Sequence, residues 1–428
     1  METAVVKVVM DGQGVLHRRG FLRTLGAGAW GLSALGFTDV LALHADELRR
    51  RQRACILLWM AGGPSQFETF DPKPDHPNGG GTAAIETAVP GVRIAAGWER
   101  TAAALGDIAL VRSMTNREGN HQRATYQLHT GYTPTGSVRH PAFGCAAAAE
   151  LGDAKFDLPP IVSIGGPTVG AGLLGVAYEP FQVADPTRPP TNVTLPVPAD
   201  RFARRLSLLQ GLEKVGFGAT GGADRVRDHT ALYRQTAGMI LSPRMKAFDL
   251  AGEAPPLRAS YGPNPFGQGC LLARRLVQAG VSFVEVRSNG WDMHQQVHEK
   301  MAPLAPQVDA GFATLVRDLK EKGLLESTLV VWMGEFGRTP KVNATAGRDH
   351  FPRAFSVALA GGGIRGGQVL GASTADGTDV KDHPVTVNDL LRTFCQALGI
   401  DPTKENMSPA GRPIKIVDGG QAVTELFS

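Results

Sequence analysis

Cysteine is scarce: four in 428 residues, at Cys55, Cys145, Cys270 and Cys395, with no Cys-x-x-Cys pair. That spacing excludes a thiolate zinc centre of the usual paired kind and a dense disulfide scaffold. Cys55 and Cys395 fall in apolar segments and read as buried thiols. Aromatic residues make up only 7% of the chain and charged residues 20%, with a net charge of +4. Basic residues are scattered and nearly balanced by acids, so the composition argues against a nucleic-acid partner. The densest basic cluster, Arg49-Arg50-Arg51 with Arg53, reads as a solvated stretch. Long apolar runs are missing too. The longest candidate, Leu25 to Phe37, has 13 residues, short of the ~20 needed to span a bilayer, so no transmembrane segment is expected.

What is abundant is turn-forming residues, 53 glycines and 29 prolines, which point to many loops between short elements. Near the N-terminus, paired Arg18 and Arg19 precede Phe21, Leu22 and the weak apolar run, and Val40-Leu41-Ala42 offers a small-residue cleavage site. The pattern resembles a twin-arginine export signal over residues 1–44, read by the twin-arginine machinery and directing the chain to the periplasm or beyond. A buried helix with two surface arginines is the plainer alternative. The twin-arginine route carries folded proteins, which weakly favours a metalloprotein.

Residues 45–428 read as one domain in which strands alternate with helices. The runs Ala54–Met60, Ile108–Met114, Pro160–Gly165, Val281–Val286, Thr328–Met333 and Phe355–Ala360 are continuous and apolar, as in strands buried on both faces. Leu271–Ala279 and Gln307–Lys322 read as helices, and Thr386-x-x-Asp389 as the capping box of a helix through Leu398, stopped by Gly399. The class is therefore α/β, a mostly parallel sheet with helices on both faces. Residues of about 192–264 are more polar and helical and read as an insertion or cap.

Ligands of such sheets bind beyond the carboxyl ends of the strands, and four polar clusters sit there. The first, Gly62 to Pro72, contains Ser65, Glu68 and Asp71, which also suit a capped turn with solvated acids. The second places His121 and Arg123 at a helix start, where an arginine can help to hold an anion. The third holds Asp292, His294 and His298. If 294 and 298 share a helix face, they form an O/N metal constellation with Asp292. The alternative is a capping aspartate with two surface histidines. The fourth holds Glu335, Arg338, Arg348 and His350. A carboxylate at the end of a buried strand is costly unless paired or metal-bound, so Glu335 is expected either on a metal or paired with Arg338 or Arg348.

The strings AGGPSQFETFDPKP, HQRATYQLHTGY, GWDMH, GEFGRTP and GRDHFP, in this order, resemble the exported family catalogued as domain of unknown function 1501, over nearly all of the chain from Ala54 onward. That family is similar to the alkaline phosphatase and sulfatase superfamily. The resemblance implies an α/β sandwich and a metal-dependent site for phosphate or sulfate esters, with an anionic small molecule or polysaccharide as substrate. In sulfatase-type members the nucleophile stands nine residues before the Thr of a Thr-Gly pair. Here Thr130-Gly131 puts His121 at that place, with no Ser, Thr or Cys.

Carried over position by position, one metal site falls on Asp292, His294 or His298, and His350. A second would use Glu335, His121 and Glu68. One or two divalent ions are implied, and O/N ligands suit zinc, manganese, calcium or magnesium. His121 would serve as ligand or general base and Arg123 as the anion clamp. Ser65, Glu68, Arg338 and Arg348 would line the substrate site. The missing nucleophile leaves room for a second reading, a non-catalytic ligand-binding or envelope protein on a degenerate fold of this type.

Overall fold

The computed structural model describes residues 53–427 except 154, 155, 192, 194, 196 and 217–222. The twin-arginine segment lies outside the described residues. Eight strands form one sheet: β1 (Ala54–Met60), β2 (Ile108–Met114), β3 (Ile161–Ile164), β4 (Phe181–Val183), β5 (Phe283–Ser288), β6 (Thr328–Met333), β7 (Phe355–Ala360) and β8 (Gln368–Leu370). Their spatial order is β8-β2-β7-β6-β1-β5-β3-β4. β1 is central and parallel to both neighbours, with Cys55 opposite Phe283 and Leu329. β7 runs antiparallel to β2 and β6. Its chain direction is not encoded in the apolar pattern of FSVALA, which is why the sequence shows a buried strand and not its sense.

Alternation along the strands builds two cores. Ile56, Leu58 and Met60 of β1 face one, and Cys55, Leu57 and Trp59 face the other. The first is covered by α7 (Pro265–Gln278) and α8 (Val297–Glu321), the second by α2 (His121–Thr130), α3 (Phe143–Leu151) and α9 (Val387–Leu398). All four cysteines are buried and unpaired. No described helix is long and apolar enough to cross a membrane.

Several elements start elsewhere than the sequence pattern implies. α7 begins at Pro265, where Asn264 caps the Gly267 N–H, and β5 runs on to Ser288. α8 starts at Val297, ten residues before the amphipathic stretch, and runs through Pro303 and Pro306. Both prolines lie beyond the first turn, so each takes out an N–H that would otherwise bond the carbonyl four residues back. Between 192 and 264, α4 (Ala199–Gly216), α5 (Ala223–Leu241) and α6 (Pro255–Tyr261) follow one another. α1 (Glu99–Ala104) lies on the first core, its first-turn N–H groups held by Asp309 of α8.

Under the carboxyl ends of the strands lies an aromatic platform. Trp332 of β6 meets Phe70 at 4.7 Å, Trp98 at 5.7 Å and Trp291 at 5.9 Å between ring centroids. Phe70 comes from the loop after β1 and Trp291 from the loop after β5, so both loops rest on one floor. Edge-to-face packing of this kind is worth about 0.5–1.5 kcal/mol per pair beyond the area buried.

At α9 the capping box is complete: Thr386 Oγ1 accepts from the Asp389 N–H, and Asp389 Oδ2 accepts from the Thr386 N–H. Thr386→Ala is therefore expected to cost about 1 kcal/mol of unfolding free energy, read as a lower urea midpoint with an unchanged slope.

Candidate metal centre

The loops after β1, β5 and β6 meet at the carboxyl end of the sheet. Two glycines permit the approach. Gly62 has φ of 118°, and a Cβ there would lie 2.4 Å from the Asp292 nitrogen. A Cβ on Gly347 would lie 2.0 Å from the His294 carbonyl carbon. Neither position admits a side chain without moving a loop that carries a polar site residue.

Three imidazoles gather around one carboxylate oxygen. From Asp292 Oδ1, the Nε2 atoms of His294, His121 and His350 lie 3.0, 3.3 and 3.3 Å away. His294 Nε2 and His350 Nε2 are 3.0 Å apart. The ligand atoms of His121, Asp292 and His350 all lie within 4.8 Å of one another, and no other such group occurs among the described residues. These side chains are 27–47% exposed, so the cluster is open to a ligand.

Each ring is turned by a partner on its far side. His121 Nδ1 meets Glu335 Oε1 at 2.6 Å, His294 Nδ1 meets Asp349 Oδ1 at 2.7 Å, and His350 Nδ1 meets the Gly119 carbonyl at 2.8 Å. A carboxylate and a carbonyl only accept, so each Nδ1 carries the hydrogen. In a neutral ring each Nε2 then presents a lone pair. Three lone pairs and an anionic oxygen facing one another repel unless a metal cation or a proton lies among them. The buried His121 Nε2 makes no hydrogen bond. Imidazoles whose Nδ1–H is held by a carboxylate or carbonyl, with Nε2 free, are the usual setting of metal-bound histidine. Bonds of about 2.0–2.1 Å to a tetrahedral ion give ligand spacings of about 3.3 Å, close to the 3.0–3.3 Å from Asp292 Oδ1 to each Nε2 and the 3.0 Å between His294 and His350. The donor set fits a divalent ion.

The electrostatics agree. Partial burial pushes the Asp292 carboxyl upward, but the Arg338 guanidinium, with Nη2 at 2.6 Å, and the nearby imidazoles outweigh it and hold it at about 2. The bond to Glu335 raises His121 above the usual imidazole range, whereas burial lowers His350. The bond from His294 lowers Asp349.

The remaining residues singled out from the sequence stand elsewhere. His294 lies in the loop before α8, not on it, because that helix starts at Val297. The shared helix face with His298 therefore does not exist, and His298 Nε2 bonds the Gly80 carbonyl at 2.8 Å instead. Glu335 stands behind His121: its Oε1 accepts from His121 and from the Gly62 N–H, and its buried Oε2 has no partner. It pairs with neither Arg338 nor Arg348. Arg123 is half-exposed and bonds Glu118 at 2.6 Å. Ser65 is buried, with an unpartnered Oγ.

Arg348 is wholly buried. Its Nε and Nη2 bond Glu68, Nη2 also bonds the Asn78 carbonyl, and Nη1 bonds the Thr339 and Pro340 carbonyls. All five donors are consumed, and Phe67 covers the guanidinium at 4.4 Å. Arg348 thus has no donor left for a substrate, and Glu68 is held to it in a buried pair. Arg338, also buried, spans the loops: its Nε bonds the Gly63 carbonyl at 2.8 Å and Nη1 the Arg348 carbonyl at 3.1 Å, and Nη2 reaches the Gly62 carbonyl. Asp349 and the Gly119 carbonyl escape sequence reading. The signal for Asp349 was its place beside His350 in GRDHFP; a backbone carbonyl leaves none.

Removing one member of the buried Arg348–Glu68 pair strands the other. Arg348→Met is expected to cost about 3–5 kcal/mol, measured by denaturant unfolding. Arg123→Ala, at an exposed ion pair, should stay within about 1 kcal/mol of the parent.

Among solved structures, the chain is similar to three whose likeness concerns overall fold. Ps i-CgsB in complex with k-i-k-neocarrahexaose is 12% identical with a TM-score of 0.40, over 82% of this chain and 72% of that one. The PsFucS1 sulfatase from Pseudoalteromonas sp. is 15% identical with a TM-score of 0.37, over 84% and 70%. The phosphonate monoester hydrolase SpPMH from Silicibacter pomeroyi is 13% identical with a TM-score of 0.33, over 88% and 76%. No curated protein sequence matches the chain. Residues 52–427 match a family profile, and the chain belongs to that family, described as Protein of unknown function (DUF1501).

Proposed function

We propose that this chain is an exported metal-dependent hydrolase of phosphate or sulfate esters, with one divalent ion held by His121, Asp292, His294 and His350. The observation that carries the metal is the convergence of three Nε2 atoms on Asp292 Oδ1, each ring held at Nδ1 by its own acceptor. Export rests on the twin-arginine pattern of the first 44 residues. The ester class is the one that the resemblance to alkaline phosphatases and sulfatases implies, and a polysaccharide carrying such esters is the substrate that fits an exported enzyme.

When bound, the ion would supply Lewis acidity to an ester oxygen and lower the pKa of a bound water towards ~7. The chain's own residues do the rest. Glu335, Asp349 and the Gly119 carbonyl hold the three rings with their lone pairs inward. Arg338 fixes the position of Asp292 and keeps it ionised. A set of three imidazole nitrogens and one carboxylate favours zinc or another nitrogen-accepting transition ion over calcium or magnesium, which prefer oxygen. Among the described residues no Ser, Thr or Cys side chain hydrogen-bonds the three imidazoles or the Asp292 carboxylate, and His121 stands at the nucleophile's place, so water and not a side chain would be the nucleophile.

One observation favours the non-catalytic reading. Arg338 and Arg348 are buried and engaged by protein acceptors, so neither is free to clamp an ester anion, and Arg123 bonds Glu118 through Nε. A phosphatase, phosphodiesterase and sulfatase screen of the metal-loaded protein separates the two. Turnover abolished by chelator supports the hydrolase; tight anion binding without turnover supports the binding protein.

Elemental analysis of the mature protein should find about one ion per chain, the number this donor set can hold. His350→Ala and Asp292→Ala should lose it with the fold intact by circular dichroism; a fully loaded His350→Ala protein contradicts the site. Metal must displace the proton that His121 holds above the usual imidazole range. Proton competition should therefore set in above the ordinary imidazole value of ~6.5, with affinity rising with pH until His121 is deprotonated, as a zinc-competition titration would show.

A further inference from the structure

α2 carries two histidines eight residues apart, and each meets a buried carboxylate. His121, at its N-terminus, bonds Glu335 just past β6. His129, near its C-terminus, lies 3.2 Å from Glu285 Oε2 at the middle of β5. β5 and β6 flank β1 on opposite sides. Eight helical residues rise about 12 Å, and two strand spacings span about 10 Å, so α2 crosses β1 obliquely with one carboxylate clamp at each end. Trp59 of β1 fills the space under the helix, its ring 4.3 Å from His129.

The inner clamp has no access to solvent. His129 is 5% and Glu285 2% exposed. His129 Nδ1 meets the Thr125 carbonyl at 2.8 Å and Nε2 meets Glu285. Both ring nitrogens face oxygen atoms, the arrangement that suits an imidazolium on a carboxylate. Burial opposes that charge, but Glu285 outweighs it and the ring holds its proton above the usual range. Thr168, from the loop after β3, donates to the same Glu285 oxygen, while Oε1 has no partner. A buried pair of this cost is weak evidence for stability and better evidence for fixing a geometry. α2 has little else to hold it, since Ala124, Leu128, His129 and Thr130 are its only buried residues.

We propose that His129 and Glu285, with Thr168, are positioning residues. By pinning the C-terminal turn of α2 to β5, they set the rotation and register that bring His121 onto Glu335 with Nε2 turned towards Asp292. The inference builds on the reading of His121 as a metal ligand, but the placement of its ring can be measured without metal.

The test uses the mature chain labelled with 15N-histidine, stripped of metal, with ring signals assigned through His121→Gln. Glu285→Leu should shift the His121 ring signals and weaken zinc binding by about tenfold to a hundredfold. Glu285→Gln, which keeps an acceptor for His129, should restore most of both. Asp309→Asn, at a buried cap under the opposite face of the sheet, should leave both unchanged. Thr168→Val takes one donor from the same carboxylate, so it should give a smaller shift in the same direction and decides the matter if Glu285→Leu does not fold. His121 signals that stay at their parent positions in folded Glu285→Leu or in Thr168→Val overturn the proposal, as does an equal shift in Asp309→Asn. If the parent protein binds no zinc, the metal reading fails on its own, and the ring signals still decide the positioning role.

Discussion

A single buried cation ties the working end of this protein together. Arg338 is 1% exposed, and its guanidinium takes carbonyls of Gly62, Gly63 and Arg348 and the carboxylate of Asp292. Its backbone pairs with both ends of the Gln66 amide, at 2.9 Å each way. The loops following three neighbouring strands thus share one rigid fork of donors. Burial lowers the guanidinium pKa below its usual value, and Asp292 offsets part of that cost. The histidine cluster is a consequence: Asp292 is the hub of the three rings, and Arg338 decides where Asp292 stands.

The arginines build and the histidines face outward. Arg348 on Glu68, Arg338 on Asp292 and Arg274 on Asp318 are each buried cations with carboxylate partners. The three cluster histidines are instead 27–42% exposed at the surface that a ligand can reach. That separation suits the chemistry. A guanidinium stays charged at any working pH and is pre-shaped for several acceptors, whereas an imidazole can offer a lone pair once its other nitrogen is held.

This division also marks what was legible in the sequence. β1, β2, β6 and β7 begin and end where the apolar runs do, because a strand buried on both faces is apolar along most of its length. The α9 cap was equally plain, since its chemistry is local. The clusters at strand ends located the site, but not its internal roles. Arg348 and Glu68 are 280 positions apart, and nothing local tells a sealed ion pair from a substrate clamp. His294 and His298 have helical spacing, yet the chain turns between them, and the left-handed Gln296, at φ 52°, precedes the helix. The Glu285–His129 pair was invisible for the same reason: a charged residue inside a strand reads as an irregularity until its partner is known.

The sheet's margins carry a consequence of another kind. The outermost strands, β8 and β4, have three residues each. Each leaves a free rim of only about 10 Å of backbone, too little to seat a strand from another molecule. Eight strands and a very apolar interior would otherwise be a template for stacking chain upon chain. Trimming the margins blunts hydrogen-bonded growth from one molecule's sheet to the next.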